Sequence, residues 1–399
     1  MHLLTAATAP RDDTVAIDLT QTPGEIVVLS AADSDLACLA AARRRLGGDF
    51  PSVRLANLLR LGHPLSIDLY DEAVLRHAEL VVVRLLGGLS YWPYGAERLV
   101  ERARAGDLRL ALLPGDARDD PELVEASSLP PDALARLGRY ANEGGVDNAE
   151  QLLRYAASLL GRRIAWHEPA TLPRCGIWDA AASGEPPRGS TVPILFYRAL
   201  LQAGDTAPIE ALAAALRAHG LAPLPVFVTS LKEPDAGRLI GELVDRHAPP
   251  VILNATGFAV GRLDAGGSDD PLRRADCPVL QVVLAGGDRA GWAEGTRGLA
   301  PRDIAMNVAL PEIDGRILAR AVSFKRQAER DPLTEADIAR HEPEPSRVAF
   351  VAELAHAWAD LRGTPASQRR IALILANYPN RDGRIGNGVG LDTPESAAR

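Results

Sequence analysis

The richest concentration of groups able to do chemistry in this 399-residue chain is the stretch NYPNRDGRIGNGVGLDTPES, at 377–396. Asn377 and Tyr378 close an apolar run, and Arg381 and Arg384 sit among Gly383, Gly386, Gly388 and Gly390. Guanidinium forks match carboxylates in bidentate fashion, so the two arginines suit an acidic ligand. Asp382 and Asp392 can hold a cation or act as bases, although helix-start electrostatics account for Asp392 equally well. The glycine spacing fits no nucleotide cradle: a dinucleotide fingerprint needs a small residue where Leu391 stands, and a P-loop needs Lys-Ser/Thr after Gly388. A solvated loop is the plain alternative.

The second suggestive stretch is RLLGGLSYWPYG, at 84–95. Gly87 and Gly88 permit close backbone approach, while Tyr91, Trp92 and Tyr94 either offer a stacking surface to a planar or macrocyclic ligand or pack beneath their own loop. Both stretches follow apolar runs of strand type, as do LLPGD, FYR, TSLK, NATGF and LAGGD, the last at 284–288. Such positions matter because open α/β sheets bind ligands beyond the carboxyl ends of their strands.

Metal and nucleophile chemistry find less support. His167-Glu168 and His341-Glu342 both precede a proline that disfavours the helix of an HExxH site, and Thr171 and Pro345 occupy the place of the second histidine. His63, His77, His219, His247 and His356 stand singly, two of them placed as partners of a helix carboxyl end. No metal ligand is assigned, and with no GxSxG elbow no catalytic residue is assigned either.

The elements that must position these groups alternate. EIVVLS (25–30), a helix through 35–46, SVRLANL (52–58), a helix through 69–78, ELVVVRLLGG and LRLALLPGD are followed by a helical stretch, 132–160, broken at Gly144-Gly145. After the Pro/Gly/Ser-rich AASGEPPRGS (181–190), the alternation restarts with VPILFYR (192–198) and runs to CPVLQVVLAGG. The expectation is an α/β fold of two open, mostly parallel-sheet lobes with flanking helices, 1–180 and 191–339, joined by a linker at 181–190. From 340 to 399, RHEPEPSR, a helix, a strand at Ile371 to Leu375 and a short helix capped by Thr393 with Pro394 behind it predict the start of a third, truncated domain. So short a terminal helix is marginal alone, and the reading is an amino-terminal fragment.

A net charge of −8 leaves no basic footprint for nucleic acid or an anionic membrane. Three scattered cysteines argue against a disulfide framework, and there is no signal peptide or apolar run of membrane length. A soluble cytoplasmic protein is expected.

Six stretches then resemble the amino-terminal part of a known family: RLLGGLSYWPYGAERL, the run from FYRALL to VFVTSLK, PVLQVVLAGG, MNVALPEIDGRILARAVSFK, HEPEPSRVAFVAELAHAWADLR and NYPNRDGRIGNGVGLDTPES. They are similar to the large subunits of aerobic cobaltochelatase, the CobN family, themselves similar to the porphyrin-binding subunit of magnesium chelatase. The resemblance implies ATP-dependent insertion of Co2+, as substrate, into hydrogenobyrinic acid a,c-diamide in aerobic cobalamin biosynthesis. It implies two smaller partners, an AAA-type ATPase and a von Willebrand-type subunit, which use ATP and Mg2+ that this chain does not bind. The chelating centre is expected mainly in the missing carboxyl-terminal part, so the fragment alone is expected to be inactive. Asn377, Tyr378, Arg381, Arg384, Asp392, Tyr91 and Trp92 are the candidates for contact with the macrocycle. Rival readings are a magnesium chelatase subunit acting on protoporphyrin and a non-catalytic docking module.

Overall fold

The computed structural model describes residues 15–116, 118–178, 189–260, 270–296, 298–326, 329–375, 386 and 390–399. In the first lobe β1 (Ile26–Ser30), β2 (Val53–Asn57), β3 (Leu80–Leu85) and β4 (Arg109–Pro114) run parallel in the order β2-β1-β3-β4. Side chains alternate across a strand, and here both faces are covered. Ile26, Val28, Leu80 and Val82 enter one core, while Val27, Leu29, Val81 and Val83 enter the other. The helix expected over 69–78 forms earlier, at Pro64–Ala73, because the His63 ring accepts the Leu65 N–H at 3.1 Å and Pro64 takes the first position. The helical stretch breaks as expected, into Pro131–Glu143 and Val146–Leu159. The break serves the second lobe. Gly145 N–H donates to Gln202 O at 2.9 Å, and a Cβ on Gly144 would come within 2.9 Å of the Gln202 side chain.

The second lobe contains β5 (Cys175–Ile177), β6 (Thr191–Tyr197), β7 (Ala222–Val228), β8 (Ile252–Asn254), β9 (Val279–Leu284) and β10 (Ile317–Lys325). A short hairpin, β11 (Glu329–Arg330) and β12 (Asp337–Ile338), precedes β13 (His341–Pro343). The sheet order is β13-β10-β9-β8-β6-β7-β5, parallel except at its two edges.

Three expectations are corrected. Residues 341–363, expected to open a third domain, pack with the second lobe: β13 pairs with β10, and helix Pro345–Gly363 sends Val348, Val351, Ala352 and Ala355 into that lobe's core. The preceding arm crosses to the first lobe, where Ala336 and Ile338 join the core. Ile371 to Leu375 form no strand. A strand needs a neighbour for its N–H and C=O groups, none pairs there among the described residues, and Ile371 and Ile374 are 89% and 91% exposed. Finally, Asp392 rather than Thr393 caps the terminal helix, accepting the Glu395 N–H at 3.1 Å. Most of the 181–190 linker lies outside the described residues.

His341 gives the fold a pH dependence. Its backbone N–H donates to the Asp205 carboxylate at 3.0 Å, and its ring Nδ1 lies 3.2 Å from Ser323 Oγ. Burial first, then the Lys325 charge, pushes its pKa down from 6.5 to about 3. The unfolded chain takes up this proton below pH 6.5 and the folded chain does not, so stability falls as pH drops from 6.5 toward 3. Two units below the upper value the contribution is roughly 3 kcal/mol. Urea unfolding at pH 7 and pH 4.5 should show a loss of that size in the native chain that is absent in His341→Gln.

Candidate functional site

The carboxyl ends of both sheets are candidate ligand positions, and volume separates them. In the first lobe Arg84, near the end of β3, occupies the space beyond the carboxyl ends of β1 and β3. Its guanidinium donates to Asp35 Oδ2 at 2.7 Å, to Asn142 Oδ1 at 3.0 Å and to Gly115 O at 3.1 Å. What remains is a cavity of about 40 Å3 bounded by Cys38, Tyr140 and Gln202. That is room for water, not for an organic ligand.

In the second lobe a crevice of about 380 Å3 opens beyond β9 and β10, a size typical of small-molecule sites. The glycine-bearing loop after β9 forms one side, with Trp292 and Leu299 in the lining, and Phe324 at the end of β10 forms the other. The Trp292 and Phe324 ring centroids are 5.0 Å apart. Asp288 caps helix Arg289–Glu294 through the Gly291 N–H at 2.7 Å, which orients Trp292 on its first turn. Asp303 lines the crevice too and ties the loop by accepting Gly286 N–H at 3.0 Å. Burial raises the Asp303 pKa, against the opposing effect of the Gly286 bond, so this carboxyl exchanges its proton closer to neutrality than an exposed one.

The same edge is held rigid by polar contacts. Asn254, Thr256 and Gln281, each no more than 1% exposed, close a network: Asn254 Nδ2 donates to Gln281 Oε1 at 2.7 Å, Gln281 Nε2 to Thr256 O at 2.8 Å, and Thr256 Oγ1 to Asn254 Oδ1 at 2.8 Å. The helix carrying Asp303 widens to a π turn at Ala305–Ala309 ahead of Pro311, with Leu310 N–H reaching Ala305 O. Met306 O is thereby released to accept Phe258 N–H at 2.7 Å, joining the NATGF turn to this helix.

Of the residues singled out from sequence, LAGGD lies at this crevice. Asn377, Tyr378, Arg381 and Arg384 lie outside the described residues. The carboxylate of Asp392 is engaged as a helix cap. The aromatic stretch after β3 divides: Tyr91 is half-buried, Tyr94 donates to Asp68 Oδ1 at 2.8 Å, and Trp92 is 4% exposed with its Nε1–H donating to Leu61 O at 2.7 Å. Trp92 therefore belongs to the core and presents no open face. Asp303, Trp292 and Phe324 were missed in the sequence, where only Phe324, ending the run AVSF, carried the post-strand signal. Among the described residues no group of three or more His, Cys, Asp or Glu is placed to hold a metal ion, and no helix is long and apolar enough to cross a membrane.

Comparison with known proteins agrees with the mostly parallel α/β architecture. The CobN/Magnesium Chelatase family pattern matches residues 138–399. The aerobic cobaltochelatase subunit CobN of Sinorhizobium sp is 47% identical over 415 residues, covering 99% of this chain and 32% of the relative. A magnesium-chelatase subunit of Cereibacter sphaeroides is 26% identical over 293 residues, covering 65% of this chain and 24% of the relative. The solved catalytic subunit of cobaltochelatase from Mycobacterium tuberculosis superposes with a TM-score of 0.76 at 32% identity, over 94% of this chain and 30% of that one. The chain thus spans about a third of the length of the cobaltochelatase relatives it matches.

Proposed function

The chain belongs to the CobN/magnesium chelatase family, and on that premise we propose that it forms part of the large subunit of an ATP-dependent cobaltochelatase that inserts Co2+ into hydrogenobyrinic acid a,c-diamide. The observation that carries the choice of ring is the contrast in likeness: 47% identity across the chain with a cobaltochelatase subunit, against 26% over 65% of it with a magnesium-chelatase subunit.

Insertion requires that the macrocycle be held, its ring nitrogens deprotonated and the ion stripped of water. This portion supplies the holding. The second-lobe crevice is large enough for one edge of the ring, with Trp292 and Phe324 against its face and Asp303 beside it. The stretch 377–392 and Tyr91 are further proposed contacts. Co2+ enters as substrate. ATP, with Mg2+, is hydrolysed on two smaller partners, an AAA-type ATPase and a von Willebrand-type subunit, and domain movement couples that hydrolysis to insertion. A reducing cytoplasm suits the three free cysteines. The test is an absorbance titration of the chain with the corrin diamide and with protoporphyrin. Selective binding of the corrin is expected; selective binding of the porphyrin would replace cobaltochelatase by magnesium chelatase.

A further inference from the structure

Two guanidinium groups, those of Arg289 and Arg347, flank Trp292 in the crevice lining, and Arg320 stands next in sequence to Ala321, whose carbonyl Arg347 holds. The guanidinium carbons of Arg289 and Arg347 lie 5.3 and 4.6 Å from the Trp292 ring centroid, and that of Arg320 lies 3.5 Å from the centroid of Phe350. Glu344 pairs with Arg289 at 2.6 Å, and that hydrogen bond holds its carboxyl below the usual range. Arg347 donates to Ala321 O at 2.5 Å. Among the described residues neither Arg347 nor Arg320 has a carboxylate within ion-pair distance. Burial first, then the like charge of Arg320, lowers the Arg347 pKa against the pull of Glu344.

This accumulation occurs in a chain of net charge −8, where ion pairs would be easily found. An arginine stacked on an aromatic face keeps the edge of its fork free, and that edge matches a carboxylate in bidentate fashion. Trp292 lines the crevice, so a ligand seated against it meets Arg289 and Arg347 at its margin.

We propose that Arg289, Arg320 and Arg347, stacked on Trp292 and Phe350, form a subsite for the peripheral carboxylates of a planar macrocycle. The inference rests on the macrocycle-holding role proposed above and adds the groups that recognise the ring's acidic arms.

The experiment is a tryptophan-fluorescence titration of the chain and of Arg320→Gln with three probes: the corrin diamide, protoporphyrin and protoporphyrin dimethyl ester. Among the described residues the Arg320 side chain makes no hydrogen bond, and a parallel thermal unfolding scan checks the variant. Loss of one charge-assisted contact should weaken every carboxylate-bearing ring that binds by about tenfold and leave the ester within about twofold. Arg347→Lys should retain part of the affinity, since it keeps charge but not the fork. Arg320-dependent binding of protoporphyrin without binding of the corrin would overturn the choice of ring and uphold the subsite. Unchanged affinity for the carboxylate-bearing rings in Arg320→Gln, an equal loss for the ester, or no binding of any carboxylate-bearing ring would overturn the subsite.

Discussion

Replacing Asp331 by alanine should cost the chain about 3–5 kcal/mol of stability, one of the two largest single-site losses expected. Asp331 is 3% exposed and anchors the arm by which the second lobe reaches the first. Its Oδ1 accepts Thr334 N–H at 3.0 Å, Thr334 Oγ1–H at 2.9 Å and Leu333 N–H at 3.2 Å, while Oδ2 takes Arg44 Nε at 2.9 Å. Burial alone would raise its pKa, but the Arg44 and Thr334 hydrogen bonds outweigh it and the net shift is downward. Truncation leaves the wholly buried Thr334 with unsatisfied donors, each costing about 1–3 kcal/mol. Thr334 O also accepts Leu55 N–H from β2 at 3.2 Å, so the damage should reach the first sheet. Asp331→Asn keeps the Oδ1 acceptor and should lose markedly less. Urea unfolding of both variants, with exchange protection read at the Leu55 amide, checks this; equal losses in the two would point away from the turn and toward the Arg44 pair alone.

Trp92→Ala should be comparably damaging, by about 3–5 kcal/mol, because a buried indole leaves both a cavity and an unpaired Leu61 carbonyl. The surroundings are built to its shape: a methyl added at Gly95 would overlap the indole ring. Gly95→Ala should therefore also destabilise, by about 1–3 kcal/mol of overpacking. Tyr91→Ala, at a half-buried neighbour, should cost much less. A Trp92→Ala protein of native stability that had lost macrocycle binding would return Trp92 to the ligand surface.

The lobes were legible because parallel strands covered on both faces write uninterrupted apolar runs, as IVVLS and LVVVRL do. The Gly144-Gly145 break was legible for a local reason, positive φ at both residues. The same apolar signal misled at Ile371 to Leu375, since composition records a preference for pairing and not the presence of a partner. The arm was invisible: Asp331 and Glu335 look like ordinary surface acids until Arg44, Arg54 and Thr22, some three hundred residues earlier, meet them. For the candidate site, the rule that ligands sit after strands pointed to LAGGD, whereas Asp303 joins the crevice lining, and Arg347 reaches Trp292, only through tertiary packing. Trp92 carried the aromatic signal of a ligand surface and the burial of a core residue, and spacing does not distinguish the two.

The central claim, that the second lobe grips a macrocycle at its carboxyl-edge crevice, is tested most directly by hydrogen–deuterium exchange of the chain with and without the corrin diamide. The account predicts slowed exchange in the segment from Ala285 to Ala300 and around Phe324, with β2 (Val53–Asn57) unchanged. Protection confined to the first lobe, or none at the carboxyl edge of the second sheet while the corrin is bound, would contradict it.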